Sequence, residues 1–220
     1  MQRKYFITGT DTEVGKTFVS VALLRALELA GKTTVAMKPV AAGCDDNGHN
    51  EDALALQEAM TAELPYAQIN PVALQTPVSP HIAAEIDGKR VTASRLEGLA
   101  RGLMLRTEDV LLIEGAGGWF CPLNNKETLA DFVKRLEIPV VMVVGMKLGC
   151  LNHALLTAQA IRSQGLQLAG WVANCVDPEM QEQQHNIDYL REQLAAPCLG
   201  VVPFAESASD IAKHLNVSSF

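Results

Sequence analysis

The opening of this chain, "KYFITGTDTEVGKTFVSVALLRALELAG" at residues 4–31, constrains its fold more than any other stretch. An apolar strand-like run, Lys4–Thr8, passes through a turn into Gly15-Lys16-Thr17. The apolar segment that follows, Lys16–Ala30, reads as a helix stopped at Gly31. Strand, turn and helix in that order gather backbone N–H groups and a helix N-terminus around one point, an arrangement that cradles phosphate. The general pattern for such a loop, G-x-x-x-x-G-K-[ST], asks for glycine at position 10. This chain has Thr10 there and Gly9 one residue earlier. The shift lengthens the loop but keeps Gly15, Lys16 and Thr17, so Lys16 is expected to reach outer phosphates and the Thr17 hydroxyl to bind Mg²⁺. A plain strand-to-helix turn that happens to contain GKT is the competing reading.

Downstream, apolar strands alternate with helix-patterned segments. Thr33–Met37, Asp109–Ile113, Pro139–Val144, Leu168–Ala173 and Leu199–Val202 read as strands; Glu51–Met60, Thr92–Leu105, Leu129–Leu136 and Asn152–Ser163 read as helices. Ser79-Pro80 supplies a helix N-cap followed by proline at the first helical position. Residues 61–80, broken by prolines, read as a loop of the kind that carries substrate contacts. The chain is 48% hydrophobic but only 5% aromatic, which suits aliphatic strands buried on both faces of a parallel sheet. The prediction is one α/β domain over residues 1–220, a mainly parallel sheet with helices on both faces.

Charge and cysteine usage exclude several classes. Against 18 basic residues stand 25 acidic ones, for a net charge of −7, and no basic run is present, so neither a nucleic-acid surface nor a membrane anchor is expected. Five scattered cysteines, none in C-x-x-C spacing, indicate neither a disulfide framework nor a structural zinc site. Strand-like sequence begins by Lys4, leaving no room for a signal peptide, and no apolar run approaches the ~18 residues of a membrane span. A cytoplasmic location is expected.

In open α/β sheets ligands bind beyond the carboxyl ends of the strands. Residues 9–17 follow the first predicted strand, Lys38-Pro39 the second, Glu114-Gly115-Ala116-Gly117-Gly118 the third, Gly145-Met146-Lys147 the fourth and Asn174 the fifth. Glu114, closing the apolar strand, stands where a phosphate-loop protein needs a metal acid. Asp52 opens a helix, where an acid also simply favours the dipole. Lys38 points into the crevice shared with Lys16, unless it is a solvated lysine. Two cations and two acids around a phosphate site suit phosphoryl transfer to an anionic acceptor, chemistry that is mostly positioning and charge neutralisation. Asn174 is suited either to an adenine edge or to a turn. His81 and His153 read as capping or packing groups, and Cys150 as a small packed residue.

The segments "TGTDTEVGKT" (8–17), "KPVAAG" (38–43), "SPHIAA" (79–84), "EGAGGWF" (114–120), "VVGMKLGCLNHALLTAQAI" (143–161) and "GWVAN" (170–174) resemble the dethiobiotin synthetases over nearly the whole chain. The loop with its glycine one residue early is that family's form. The resemblance implies a doubly wound P-loop NTPase-like fold, a homodimer, and ATP-dependent carboxylation and ring closure of 7,8-diaminononanoate with CO₂. It implies that Glu13, Val14, Gly15, Lys16, Thr17 and Phe18 bind ATP, with Gly115, Ala116 and Gly117 beside them. It further implies that Thr17, Asp52 and Glu114 hold Mg²⁺, and that Lys38, Lys16 and Thr12 serve the reacting carbamate and phosphate. Asn174 and the segment Pro203-Phe204-Ala205 would meet adenine, and Asp210 or Glu206 the ribose, with Asp210 preferred. Ala42 would lie at the diamine, with Gly149, Cys150 and Asn152 reaching the neighbouring subunit's diamine site. The chain departs from the pattern at Ala42, commonly serine, and at Cys175, often an acid. The alternatives are a related amidoligase-type ATPase and a dimeric switch ATPase. Against the latter, Thr8–Val14 lacks the extra lysine such switches use, and "HLNVSSF" has no amphipathic pattern.

Overall fold

A computed structural model describes residues 2–204, 207–218 and 220. In chain order the first half comprises β1 (Arg3–Gly9), α1 (Lys16–Leu29), β2 (Thr34–Met37), β3 (Val40–Ala42), α2 (Glu51–Ala59), α3 (Tyr66–Ile69), β4 (Val72–Leu74), α4 (Pro80–Ile86) and α5 (Ala93–Leu103). The second comprises β5 (Val110–Gly118), α6 (Leu129–Leu136), β6 (Val140–Gly145), α7 (Cys150–Ser163), β7 (Leu168–Asn174), α8 (Gln183–Gln193), β8 (Cys198–Val202) and α9 (Ala208–Ile211), which runs into a 3₁₀ turn, Ala212–His214.

Six strands form one wholly parallel sheet in the order β2-β5-β1-β6-β7-β8. Strand order reverses about β1, so the connections leaving its carboxyl end diverge and open a crevice there. Helices cover both faces, α1 against α2 and α9, α5 against α6, and α7 against α8. Every residue of β2 and β6 is buried, which explains their unbroken apolar sequences. Inside the sheet Phe6 meets Trp119 and Phe132 edge-on, each with ring centroids 6.2 Å apart. The Ser79 N-cap with Pro80 at the start of α4 is as the sequence indicates.

Three features depart from the sequence reading. Glu114 does not end its strand: β5 continues through the glycines to Gly118, which pairs with Gly9. Segment 61–80 is not all loop, because α3 and β4 lie within it and β4 pairs in parallel with β3 as a separate two-stranded sheet. The polar helix α8 went unpredicted; its apolar signal is only Ile187 and Leu190, the residues it buries.

Candidate active site

At the carboxyl ends of β1, β2 and β5 lies a cleft of about 620 Å³. It brings together Thr12, Glu13, Gly15, Lys16, Thr17, Phe18, Lys38, Ala42, Asp52, Ala116 and Gly117 from the predicted set. The phosphate loop is turned by left-handed residues at Glu13 (φ 57°) and Gly15 (φ 78°). For Glu13, which carries a Cβ, that conformation is costly and marks a loop held by its surroundings. Gly15 is also the N-cap of α1, and no side chain among the described residues caps that end, which leaves its first-turn N–H groups open to a ligand.

Lys16 folds back over the loop to donate to the Asp11 carbonyl at 3.2 Å. Burial, with Lys38 nearby, holds its pKa below the usual lysine value. Lys38 is 3% exposed and donates to Glu114 Oε1 at 2.6 Å, Asp52 Oδ2 at 2.8 Å and the Gly115 carbonyl at 3.1 Å. Burial pulls its pKa down, but the Glu114 and Asp52 carboxylates outweigh it and raise the value above normal. For Asp52 burial pushes up, but Lys38, Thr17 and Lys16 together pull down more, so its carboxyl sits below its ordinary range. The reading of Lys38 as a solvated lysine is thereby excluded.

Around this ion triad, the Thr17 hydroxyl donates to Glu114 Oε1 at 2.8 Å. Glu114 itself is fully buried, and its Oε2 has no hydrogen-bond partner among the described residues. A buried carboxylate oxygen left open beside a hydroxyl and a second carboxylate fits a hard cation that takes oxygen ligands. No group of three or more His, Cys, Asp or Glu is placed to hold a metal ion among the described residues. That donor set suits Mg²⁺, which takes few protein ligands and completes its shell with phosphates and water.

Several residues absent from the sequence-based set build the same cleft. Asn50 caps α2 by accepting from Asp52 and Ala53 N–H, and its amide donates to the Ala42 carbonyl at 3.3 Å. It thus ties the helix that carries Asp52 to the strand beside it. Its N-cap position before Glu51-Asp52 was a readable signal. Asn70 donates to the Lys38 carbonyl at 2.8 Å. Cys121 also lines the cleft, its thiol pKa pushed up to about 11 by burial. A Cβ on Gly117 would come within 3.5 Å of Cys121 Sγ and 3.7 Å of Thr12 Oγ1, so these three residues adjoin.

The remaining predicted residues lie elsewhere. Asn174, 5% exposed at the end of β7, donates to the Val14 carbonyl at 2.9 Å. Its neighbour strand β8 ends at Val202, so exposed Pro203 and Phe204 follow on the same sheet edge. Asp210 is exposed on α9, and Ala205 and Glu206 lie outside the described residues. Gly149, Cys150 and Asn152 sit at the N-terminus of α7, outside the cleft; Cys150 is buried, as a packed residue should be, while Asn152 is exposed. Beside them Leu148 is 97% exposed, and Phe120 (55%) and Leu156 (58%) line one shallow depression. No described helix is long and apolar enough to cross a membrane.

Comparison with known proteins narrows the chemistry. A family profile described as an AAA domain matches residues 3–212. The chain is 50% identical to the ATP-dependent dethiobiotin synthetase BioD of Marinobacter nauticus, covering 97% of this chain and 96% of that one. It is 52% identical to the protein of the same name from Cellvibrio japonicus, over 94% and 92% of the two chains. Among solved structures, cell division protein FtsY of Thermotoga maritima superposes with a TM-score of 0.59 at 15% identity, covering 96% of this chain and 64% of that one. The septum site-determining protein MinD of Pyrococcus horikoshii, complexed with Mg-ADP, gives 0.54 at 17% identity over 93% and 82%. Likeness at such identities speaks for a shared P-loop NTPase fold and leaves activity to the site.

Proposed function

The chain belongs to the dethiobiotin synthetase family, and on that premise we propose that its cleft carboxylates and cyclises 7,8-diaminononanoate at the expense of ATP. The observation that carries this reading is the convergence of Lys16, Thr17, Lys38 and Asp52 on one cleft beside an uncapped helix N-terminus, with buried Glu114 bonded to Lys38 and Thr17. In the reaction one substrate amine adds to CO₂ and loses a proton, giving a carbamate. A carbamate oxygen attacks the terminal phosphorus of ATP, and ADP leaves. The second amine then attacks the carbonyl carbon of the mixed anhydride, expelling phosphate and closing the ureido ring.

The parts proposed for the residues are these. Backbone N–H groups from Glu13 to Thr17 seat the phosphates, and Lys16 swings from the Asp11 carbonyl to the outer ones. Thr17, Asp52 and Glu114 hold Mg²⁺, which supplies charge neutralisation at the phosphates. A carbamate is already anionic, so the acceptor needs a cation more than a base, and Lys38 provides it next to Thr12. Asn174 with Pro203 and Phe204 lies on the adenine side, and Asp210 serves the ribose. Ala42 faces the diamine. A switch ATPase is disfavoured because the loop lacks the extra lysine and the close relatives are synthetases.

We assign the working unit as a homodimer of single-domain subunits, with Gly149, Cys150 and Asn152 reaching the partner's diamine. Exposed Leu148, just before α7, and exposed Phe120 and Leu156, which line a depression along the later turns of α7, support a surface that another subunit covers. The location is cytoplasmic. The test is to incubate the purified protein with ATP and Mg²⁺, adding diaminononanoate and bicarbonate singly and together. Production of dethiobiotin and ADP only with both present is expected, and ATP turnover indifferent to either would refute the assignment.

A further inference from the structure

We propose that Asn174 and Val14 are positioning residues that hold the phosphate loop in its binding shape before any nucleotide arrives, so that Asn174 serves phosphate as well as base. The proposal rests on the reading of residues 9–17 as a nucleotide-phosphate loop. Val14 is fully buried although it sits in the middle of that loop. Its side chain fills a notch left by two glycines at the ends of adjacent strands. A Cβ on Gly9, ending β1, would fall 2.7 Å from Val14 Cγ2, and a Cβ on Gly145, ending β6, would fall 2.9 Å from Val14 Cγ1. Contacts that short are not accommodated without movement, so the valine peg demands glycine at both strand ends. This accounts for the glycine at position 9, one residue earlier than the general pattern asks.

The peg's backbone is held from the next strand. Asn174 ends β7, pairs in register with Gly145, and has its own carbonyl engaged by the Met146 N–H at 2.7 Å. From that fixed base its amide donates to the Val14 carbonyl at 2.9 Å. A Cβ on Gly15 would collide with Asn174 Nδ2, so only glycine lets the amide reach. The peptide unit between Val14 and Gly15 is planar and trans, so its C=O and N–H point in opposite directions. Holding the Val14 carbonyl on Asn174 therefore aims the Gly15 N–H away from the sheet, and Gly15 lines the cleft. The amide thus turns a carbonyl, which would repel phosphate, away from the anion and presents a donor in its place.

Inorganic tripolyphosphate, which has phosphates but no base, separates this role from adenine recognition. Its affinity and that of ATP, both with Mg²⁺, are measured calorimetrically for the wild type, Asn174→Ala and Val14→Ala. Asn174→Ala should bind tripolyphosphate about three- to tenfold more weakly, the range set by one net hydrogen bond, and ATP at least that much more weakly. Val14→Ala, which keeps every backbone group, should weaken both ligands as well. Tripolyphosphate bound by Asn174→Ala with wild-type affinity, while ATP is lost, would reduce Asn174 to a base contact and overturn the proposal. So would variants that melt earlier yet bind at wild-type affinity with reduced stoichiometry, the mark of a merely structural role. If Asn174→Ala does not fold, unaltered tripolyphosphate affinity in Val14→Ala overturns it. Wild-type protein that binds ATP but not tripolyphosphate has no preformed loop, and the proposal fails. Wild-type protein that binds neither refutes the nucleotide site itself.

Discussion

Replacing Lys38 with methionine keeps an unbranched side chain one atom shorter and removes the ammonium. Three acceptors then lose a donor: Glu114 Oε1, Asp52 Oδ2 and the Gly115 carbonyl. They do not count equally. The Asp52 side chain is 44% exposed and can rehydrate, so its share is that of a surface pair, about 0–1 kcal/mol. Glu114 is 0% exposed, with the Thr17 hydroxyl on one oxygen and no hydrogen-bond partner among the described residues on the other. Breaking a buried pair from one side costs about 3–5 kcal/mol, because the remaining charge is stranded. Lys16 stands nearby and moderates that, so the lower end, about 3 kcal/mol, is the figure to use. For a chain of this size each kcal/mol moves the melting temperature by about 2–4 °C, giving a fall of about 6–12 °C without nucleotide or metal. Adding Glu114→Gln to Lys38→Met removes the stranded charge and should recover most of the loss. Thermal unfolding followed by circular dichroism measures all three proteins. A Lys38→Met protein melting within 2 °C of wild type, or a double variant melting as low as the single, would refute the account of Lys38 as the internal counterion of Glu114.

Glu114→Gln alone should raise the Mg²⁺ concentration needed for half-maximal ATP turnover, because it keeps shape and removes one ligand charge; a Mg²⁺ titration with an unmoved midpoint rejects Glu114 as a metal ligand. Cys121, with its thiol pushed up to about 11, should resist maleimide at pH 7.5, and labelling should rise about tenfold per pH unit toward that value. Peptide mass spectrometry reads the rate, and fast labelling at neutral pH contradicts the raised thiol pKa. If Asn152 completes the partner's site, Lys16→Ala and Asn152→Ala dimers should each be nearly inactive. Subunits reassorted by refolding should regain roughly a quarter of wild-type activity, since about half the dimers are mixed and each has one intact site. Mixed dimers verified by mass and devoid of activity show that Asn152 serves its own subunit.

The six strands of the main sheet were legible because each is an apolar run long enough to stand out from its turns. Strands β3 and β4 were not, being three residues apiece in segments punctuated by proline. The glycines after Glu114 read as loop, since glycine favours no strand; only their pairing with β1 makes them one. At the site, residue types and strand-end positions were legible, but partners were not. Lys38 finds Glu114 across 76 residues and Asn174 finds Val14 across 160, distances over which no local pattern in one sequence speaks. Thus Lys38 was expected at the crevice, whereas its engagement with both acids at once was not.

The continuation of β5 past Glu114 has a consequence for motion. Glu114 is paired with Ile7 inside the sheet, and Gly115 is pressed so close to Phe6 that a Cβ there would lie 2.8 Å from its ring. The two acids of the site therefore belong to units that open differently. Asp52 rides on the first turn of α2, outside the main sheet and half exposed, so local fraying there can release it despite the Asn50 cap. Glu114 can leave its place only when the central strands separate. In hydrogen exchange the Asp52 amide should open in small local events, whereas the Glu114 amide should exchange only with global unfolding. One wall of the cleft breathes, and the other is as still as the core.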